Sequence, residues 1–375
     1  MADDLLGDAE YEVYFKSRGG QYFICRARNM TALSWSRTMN DVSTASVSIA
    51  LNDLDNDNCE CVSQINPWEH ELAVYRNGIE VWVGPVVNGS IDLANLTAKY
   101  EARDLSAWFD HRWVEVSDSD VEFEEADISE VFEWLIRHAY YKQPWNMSWS
   151  IPRTQVPIDR TYTGSDPSER WNGSFQSIGE ELRALSDSGI DTTVVGRQYI
   201  AGDMQSESVP SRLLIDGHWS TLPVIQIIGG SMATEVGVGG VNGGYYGWYD
   251  DQIWIERADS DDAGDRYGLL QSFFTAPDLD EADTTSLPNA VTQQAYGLRE
   301  LKKAPFVYVK GGALSPKAPL PINSLIPGSV YAVKLLGTCR TIEDVYRLQS
   351  VNVSYAASGE NVEIELVPLG ADALR

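Results

Sequence analysis

Basic residues are scarce in this chain. Across 375 residues, 28 Lys and Arg face 55 Asp and Glu, leaving a net charge of −27. No basic stripe stands out, so direct binding to nucleic acid is not expected. The acidity has two readings, solubility or a wall that repels another polyanion. No apolar run approaches the roughly 20 residues that span a bilayer, so membrane insertion is not expected. The start, Met1-Ala2-Asp3-Asp4, has neither a charged n-region nor an apolar h-region, so no signal peptide is expected. Cysteines number four: Cys25, Cys59, Cys61 and Cys339. Cys59 and Cys61 stand too close for an unstrained disulfide and lack the C-x-x-C zinc spacing. Free, buried or half-buried thiols made in a reducing compartment are the expectation.

Aromatic residues, in contrast, are plentiful. Twelve Trp, eighteen Tyr and 43% hydrophobic content mark an ordered chain with a large core, long enough for several domains.

The dominant pattern is alternation. Val351, Val353 and Tyr355 alternate with Asn352 and Ser354, and Val362, Ile364 and Leu366 alternate with Glu363 and Glu365. Period two predicts half-buried strands, with Ser358-Gly359 turning between them. Pro327-Gly328 precedes a third strand, Val330 to Leu335. Residues 10–107 read as almost entirely β. Tyr11, Val13 and Phe15 alternate, as does Val42 to Leu51. Asn77-Gly78 joins strands at Leu72 to Tyr75 and Ile79 to Val83, Gly84-Pro85 ends the second, and Ile91 to Ala102 follows.

The middle of the chain changes character. Ile128, Val131, Phe132, Leu135, Ile136 and Ala139 form one helical stripe, with Asp127 as cap and Pro144 past its end. A second helix is predicted from Ser174, burying Phe175, Ile178, Leu182 and Leu185 and stopping at Gly189. Asp191 to Ile200 reads as a hairpin around Gly196-Arg197. Strand-rich sequence returns after 206, with an apolar run at Leu222 to Ile228, a strand at Trp254 and Ile255, an acidic loop at Asp278 to Asp283, and a third helix over 287–304.

The candidates for chemistry are sparse. Asp53, Asp55 and Asp57 alternate like the start of a calcium loop, but Asn58 and Gln64 stand where Gly and Glu are needed. The glycines at 237–244 do not form a phosphate-binding fingerprint, and a flexible hairpin or close subunit contact is the expectation. His70, His111, His138 and His218 are not paired at ligand spacing. Glu124-Glu125 and Glu180-Glu181 are the carboxylate clusters a hydrolase would need, the second pair on the polar face of its helix. Trp145, Trp149 and Trp171 lie in loop-rich sequence, where an exposed ring stacks on sugar, while Trp82 and Trp134 fall in a strand and a helix. No catalytic, cofactor-binding or metal residue is assigned.

Three stretches resemble the minor tail proteins of long-tailed actinobacteriophages. They are Trp35 to Ile49 with Ile65 to Val86, Leu182 to Arg197, and the closing I-P-G-S-V and R-L-Q-S-V-N-V-S segments. The resemblance implies a tail hub, similar in architecture to the baseplate hub of T-even phages. The implied fold is mainly β with an α+β insertion: a tube-like antiparallel β-barrel over 1–107, an α+β domain over 108–205, and a second tube-like barrel over 206–375. It further implies a homotrimeric virion protein at the tail tip, without enzymatic activity or cofactor. Its neighbours would be the distal tail or tail tube protein, the tape measure protein, and tip and fibre proteins, with DNA passing through the hole. A cell-wall hydrolase and a glycan-binding receptor module stay open as other readings.

Overall fold

A computed structural model describes residues 6, 9–51, 56–114, 128–142, 144–151, 177–187, 190–202, 210–230, 232–240, 253–257, 269–276, 306–318, 320–336 and 341–369. The predicted third helix, the acidic loop at Asp278 to Asp283, and Asp53, Asp55, Glu124, Glu125, Asp127, Trp171, Phe175, Gly189 and Cys339 lie outside them.

Alternation in the first hundred residues yields β1 (Tyr11–Ser17), β2 (Phe23–Arg26), β3 (Met30–Thr38), β4 (Thr44–Ala50), β5 (His70–Arg76), β6 (Ile79–Asp92) and β7 (Thr97–Arg103). Asn77 (φ 50°) and Gly78 (φ 77°) supply the two left-handed residues that a tight β5–β6 hairpin needs. Two departures from the expected pattern appear here. Helix α1 (Asn56–Gln64) interrupts the strands, and Asp57 falls in its first turn rather than in a loop. Gly84-Pro85 does not end β6. The strand pairs with β5 up to Pro85 and with β7 from Val86 onward. Proline costs a ladder bond only on one side, so the strand changes partners there instead of stopping. Gly84 is required at the crossing, because a Cβ on it would sit 1.8 Å from the Arg103 carbonyl oxygen.

The insertion holds α2 (Ile128–Lys142), β8 (Ser148–Ser150), α3 (Ile178–Asp187), β9 (Asp191–Val195) and β10 (Gln198–Gly202). The predicted α2 stripe is buried at Val131, Phe132, Leu135, Ile136 and Ala139. Helix α3 begins later than predicted. Ser177 pairs with Trp113 and closes a capping box, donating its N–H to Glu180 while its hydroxyl accepts from the Glu180 N–H.

The remainder supplies β11 (Arg212–Ile215), β12 (Trp219–Thr221), β13 (Val224–Ile228), β14 (Glu235–Gly240), β15 (Ile253–Arg257), β16 (Gln271–Ala276), β17 (Phe306–Leu314), β18 (Val330–Leu335), β19 (Ile342–Ala356) and β20 (Gly359–Pro368). The glycine-dense segment is not a free hairpin through residue 240. It is the centre of a three-stranded sheet, antiparallel to β15 and parallel to β16.

The chain is mainly β, and one 14-stranded sheet takes strands from both ends of the sequence. Its central path runs β12-β17-β20-β19-β3-β4-β7-β6-β5-β1-β2. The two ends meet where β3 pairs antiparallel with β19, Trp35 opposite Val353 and Arg37 opposite Val351. One apolar core therefore draws on Val13, Val47 and Leu72 together with Tyr331, Val351 and Ile364. A second core, around α2, α3 and the β9–β10 hairpin, contains Trp108, Phe109, Trp145 and Tyr199.

The expectation of free thiols at Cys25 and Cys61 is corrected. They form a disulfide, with Cα atoms 5.5 Å apart, because α1 packs against β2. Cys59, on the same helix, is exposed and free.

Candidate functional site

Six neighbouring strands, β20-β19-β3-β4-β7-β6, present one long polar face. Strand pairing lines up Asn361, Ser354, Ser34, Ser46, Glu101 and Asn88 across all six. A second row runs Ala356, Ala32, Ser48, Lys99 and Ser90. These side chains are exposed or half-buried, while Val353, Trp35, Ala45 and Ala102 on the opposite face are buried. Period-two alternation thus produces a broad surface of small hydroxyls and amides. Two ion pairs lie along it: Lys99 donates to Glu101 at 2.7 Å, which holds the Glu101 carboxyl below its usual range, and Lys310 reaches Glu365 at 2.9 Å.

The strand run continues from β20 to β17 and β13, giving eight neighbouring strands. Among the described residues, the second half of β6 at one end pairs only with β7, and β13 at the other pairs only with β17. Strand β13 reads Val-Ile-Gln-Ile-Ile, and Val224 and Ile227 are 67% and 51% exposed. Leu222, just before it, is exposed as well. An open apolar edge is unstable in water and invites pairing with another strand.

Buried polar contacts fix the two halves of this surface. Arg37, on β3, is almost wholly buried; its guanidinium donates to the Val81 carbonyl at 2.8 Å and to the Ile322 and Leu325 carbonyls at 3.2 Å. Burial lowers its pKa to about 10. The insertion is tied on by Glu71, which accepts from Arg197 at 2.6 Å and from the Gly19 N–H at 2.7 Å. Burial raises the Glu71 pKa, against the lowering effect of Arg197.

Those residues singled out for chemistry that the structure describes are not brought together. His70 Nδ1 accepts from the Asn66 N–H, His111 packs on Trp68, His138 stacks on Trp134, and His218 Nδ1 accepts from the Ile215 N–H. Among the described residues no cluster of His, Cys, Asp and Glu suits a metal. Glu180 is used in the α3 cap, and Glu181 is buried rather than on a polar face. Trp145 is buried in the second core, so its ring is not open for stacking on a sugar, and Trp149 packs partly buried against that core. The polar face itself was visible in sequence only strand by strand. Its continuity depends on the β3–β19 pairing, for which the sequence carries no local signal.

No protein-family model and no curated protein matches the chain. Solved structures of three tail proteins share its fold along nearly the whole length. The 43 kDa tail protein of prophage MuSo2 from Shewanella oneidensis has a TM-score of 0.64 at 11% identity, covering 96% of this chain and 99% of that one. A tail protein from Neisseria meningitidis MC58 has a TM-score of 0.61 at 13% identity, covering 97% and 99%. Prophage tail protein gp18 from Listeria monocytogenes EGD-e has a TM-score of 0.57 at 13% identity, covering 95% and 94%. At these identities the likeness is one of fold.

Proposed function

We propose that this chain is a structural virion protein, the hub at the distal tip of a non-contractile phage tail. Three copies close a ring between the sixfold tail tube or distal tail protein and the threefold tip and fibre proteins. The tape measure protein and then DNA pass through its hole. The units of this reading are a tube-like barrel over 1–107, an insertion over 108–205 and a second barrel over 206–375. Its role is assembly and symmetry matching rather than catalysis.

One observation carries the reading: a continuous eight-strand run, polar over its six strands from β20 to β6, with an edge at each end that no strand covers among the described residues. A head-to-tail contact between β13 of one copy and the second half of β6 of the next would cover the apolar edge and continue the face around a ring. The full-length likeness to tail proteins supports the same reading. The face assigned to the hole is mostly hydroxyl and amide, with Glu101 and Glu365 beside lysines. Passage of a polyanion would rest on the shortage of unpaired cations there rather than on an acidic wall.

The test is light-scattering mass together with electron-microscope class averages of the purified protein, alone and mixed with its tail tube protein. Threefold rings with a central hole are expected. A chain that stays monomeric in both samples overturns the hub assignment.

A further inference from the structure

Residues 16–28 read Lys-Ser-Arg-Gly-Gly-Gln-Tyr-Phe-Ile-Cys-Arg-Ala-Arg, four cations and no carboxylate in a chain with nearly two acids per base. This segment is the β1–β2 turn and strand β2, at the far end of the large sheet from β12 and β13. Strand β2 pairs with β1 alone, and among the described residues no strand covers its other edge. Arg18, Arg26 and Arg28 are exposed around it, Arg26 paired with Glu12 at 2.8 Å and Lys16 with Glu80 at 2.8 Å, and Tyr22 and Phe23 are 69% and 61% exposed. The edge is held in shape. The Cys25–Cys61 disulfide ties β2 to α1, and the Phe23 ring meets the Tyr14 ring edge-on at 5.6 Å.

Each feature points to a protein partner. An unpaired strand edge offers a ladder of N–H and C=O groups for strand addition. Exposed aromatic rings beside arginines are the composition of interface hot spots. Cations on an otherwise acidic molecule select a partner of opposite charge and speed its encounter. We propose that the open edge of β2 receives an extended acidic segment of another protein, which adds to the sheet as a strand. A second copy's apolar edge is not the complement, because β13 carries no carboxylate. The proposal does not depend on ring formation.

The test uses the full chain and a short fluorescent peptide alternating Val and Glu, with a Lys-for-Glu peptide as control. Anisotropy is read at about 0.05 M and about 0.5 M salt. The acidic peptide is expected to bind at low salt and the basic one not. The R18E/R28E double variant should weaken binding at least about tenfold, and Phe23→Ser several-fold, each with a cooperative thermal transition that shows the variant is folded. Hydrogen exchange should slow at residues 23–26 on peptide addition. Equal binding of both peptides, exchange protection elsewhere, or an effect of R18E/R28E only on self-association overturns the proposal.

Discussion

Arg76 and Glu360 form a two-pronged ion pair inside the protein, Nε to Oε1 at 2.8 Å and Nη2 to Oε2 at 3.0 Å, with both side chains fully buried. Tyr11 donates its hydroxyl to the same Oε1 at 2.5 Å. Burial, and after it Glu360, raises the Tyr11 pKa. Arg76 ends β5 and Glu360 is the second residue of β20, so the pair joins strands from the two ends of the sequence.

Removing one partner leaves the other charge buried and uncompensated. Glu360→Ala is expected to cost about 3–5 kcal/mol, and the double change Arg76→Met with Glu360→Leu much less. Urea midpoints of wild type, single and double variants decide it. A single variant as stable as wild type would show that the pair contributes nothing.

The β6 crossing depends on a missing Cβ. Gly84→Ala places a methyl against the Arg103 carbonyl and is expected to cost about 3 kcal/mol. Gly78→Ala has open space around it and is expected to cost about 1 kcal/mol, from backbone conformation alone. Thermal melts of the two variants should rank in that order.

The Cys25–Cys61 disulfide closes a loop across 36 residues, so breaking it should cost about 2–4 kcal/mol. Reductant should lower the melting temperature of wild type and leave a Cys25→Ala/Cys61→Ala variant unchanged. A thiol titration of the unreduced, unfolded wild type that finds Cys25 reactive would rule the bond out.

Asp104 caps the 3-10 turn Leu105–His111 from a fully buried position. It accepts from the Ser43 N–H at 2.6 Å, and from the Ser106 N–H and hydroxyl at 2.9 and 2.5 Å. Burial nonetheless raises its pKa from 3.8 to about 6. The folded state therefore holds a proton that the unfolded state has released between those values. The stabilisation is complete below about pH 4 and lost as pH rises through about 6. Wild type should lose about 2 kcal/mol relative to Asp104→Asn between pH 4.5 and 7.5. Parallel pH profiles for the two proteins would contradict this.

The edge of β13 gives the last expectation. Ile227 is half exposed, so a lysine there should leave the monomer's thermal midpoint within about 0.5 kcal/mol of wild type. In the ring reading it should also shift the light-scattering mass from trimer toward monomer. An unchanged oligomer would place the contact elsewhere.

Much of the local structure was legible in the residues. Val330 to Leu335, the alternation through β19 and β20, the Asn77-Gly78 turn, the α2 stripe and the β9–β10 hairpin were all readable, because each is set by side-chain period and turn chemistry within a few residues. The misreadings share a cause. Gly84-Pro85 stops a strand only if no other strand takes over its pairing, and β7 does. Cys25 and Cys61 look unpaired only until α1 lies on β2. Glu181 looks like a surface acid until α3 packs against its neighbours.

By itself the sequence determined many of the strands, the α2 helix and which side of each of these turns inward, since alternation and helical spacing act over short range. Only the tertiary structure decided which strands became neighbours. Pairing Trp35 with Val353 brings together residues over 300 positions apart, and any half-buried strand of suitable length satisfies the same pattern. The continuous polar face, the open apolar edge of β13 and the basic edge of β2 follow from those neighbours, because exposure depends on what packs alongside a strand rather than on the strand alone.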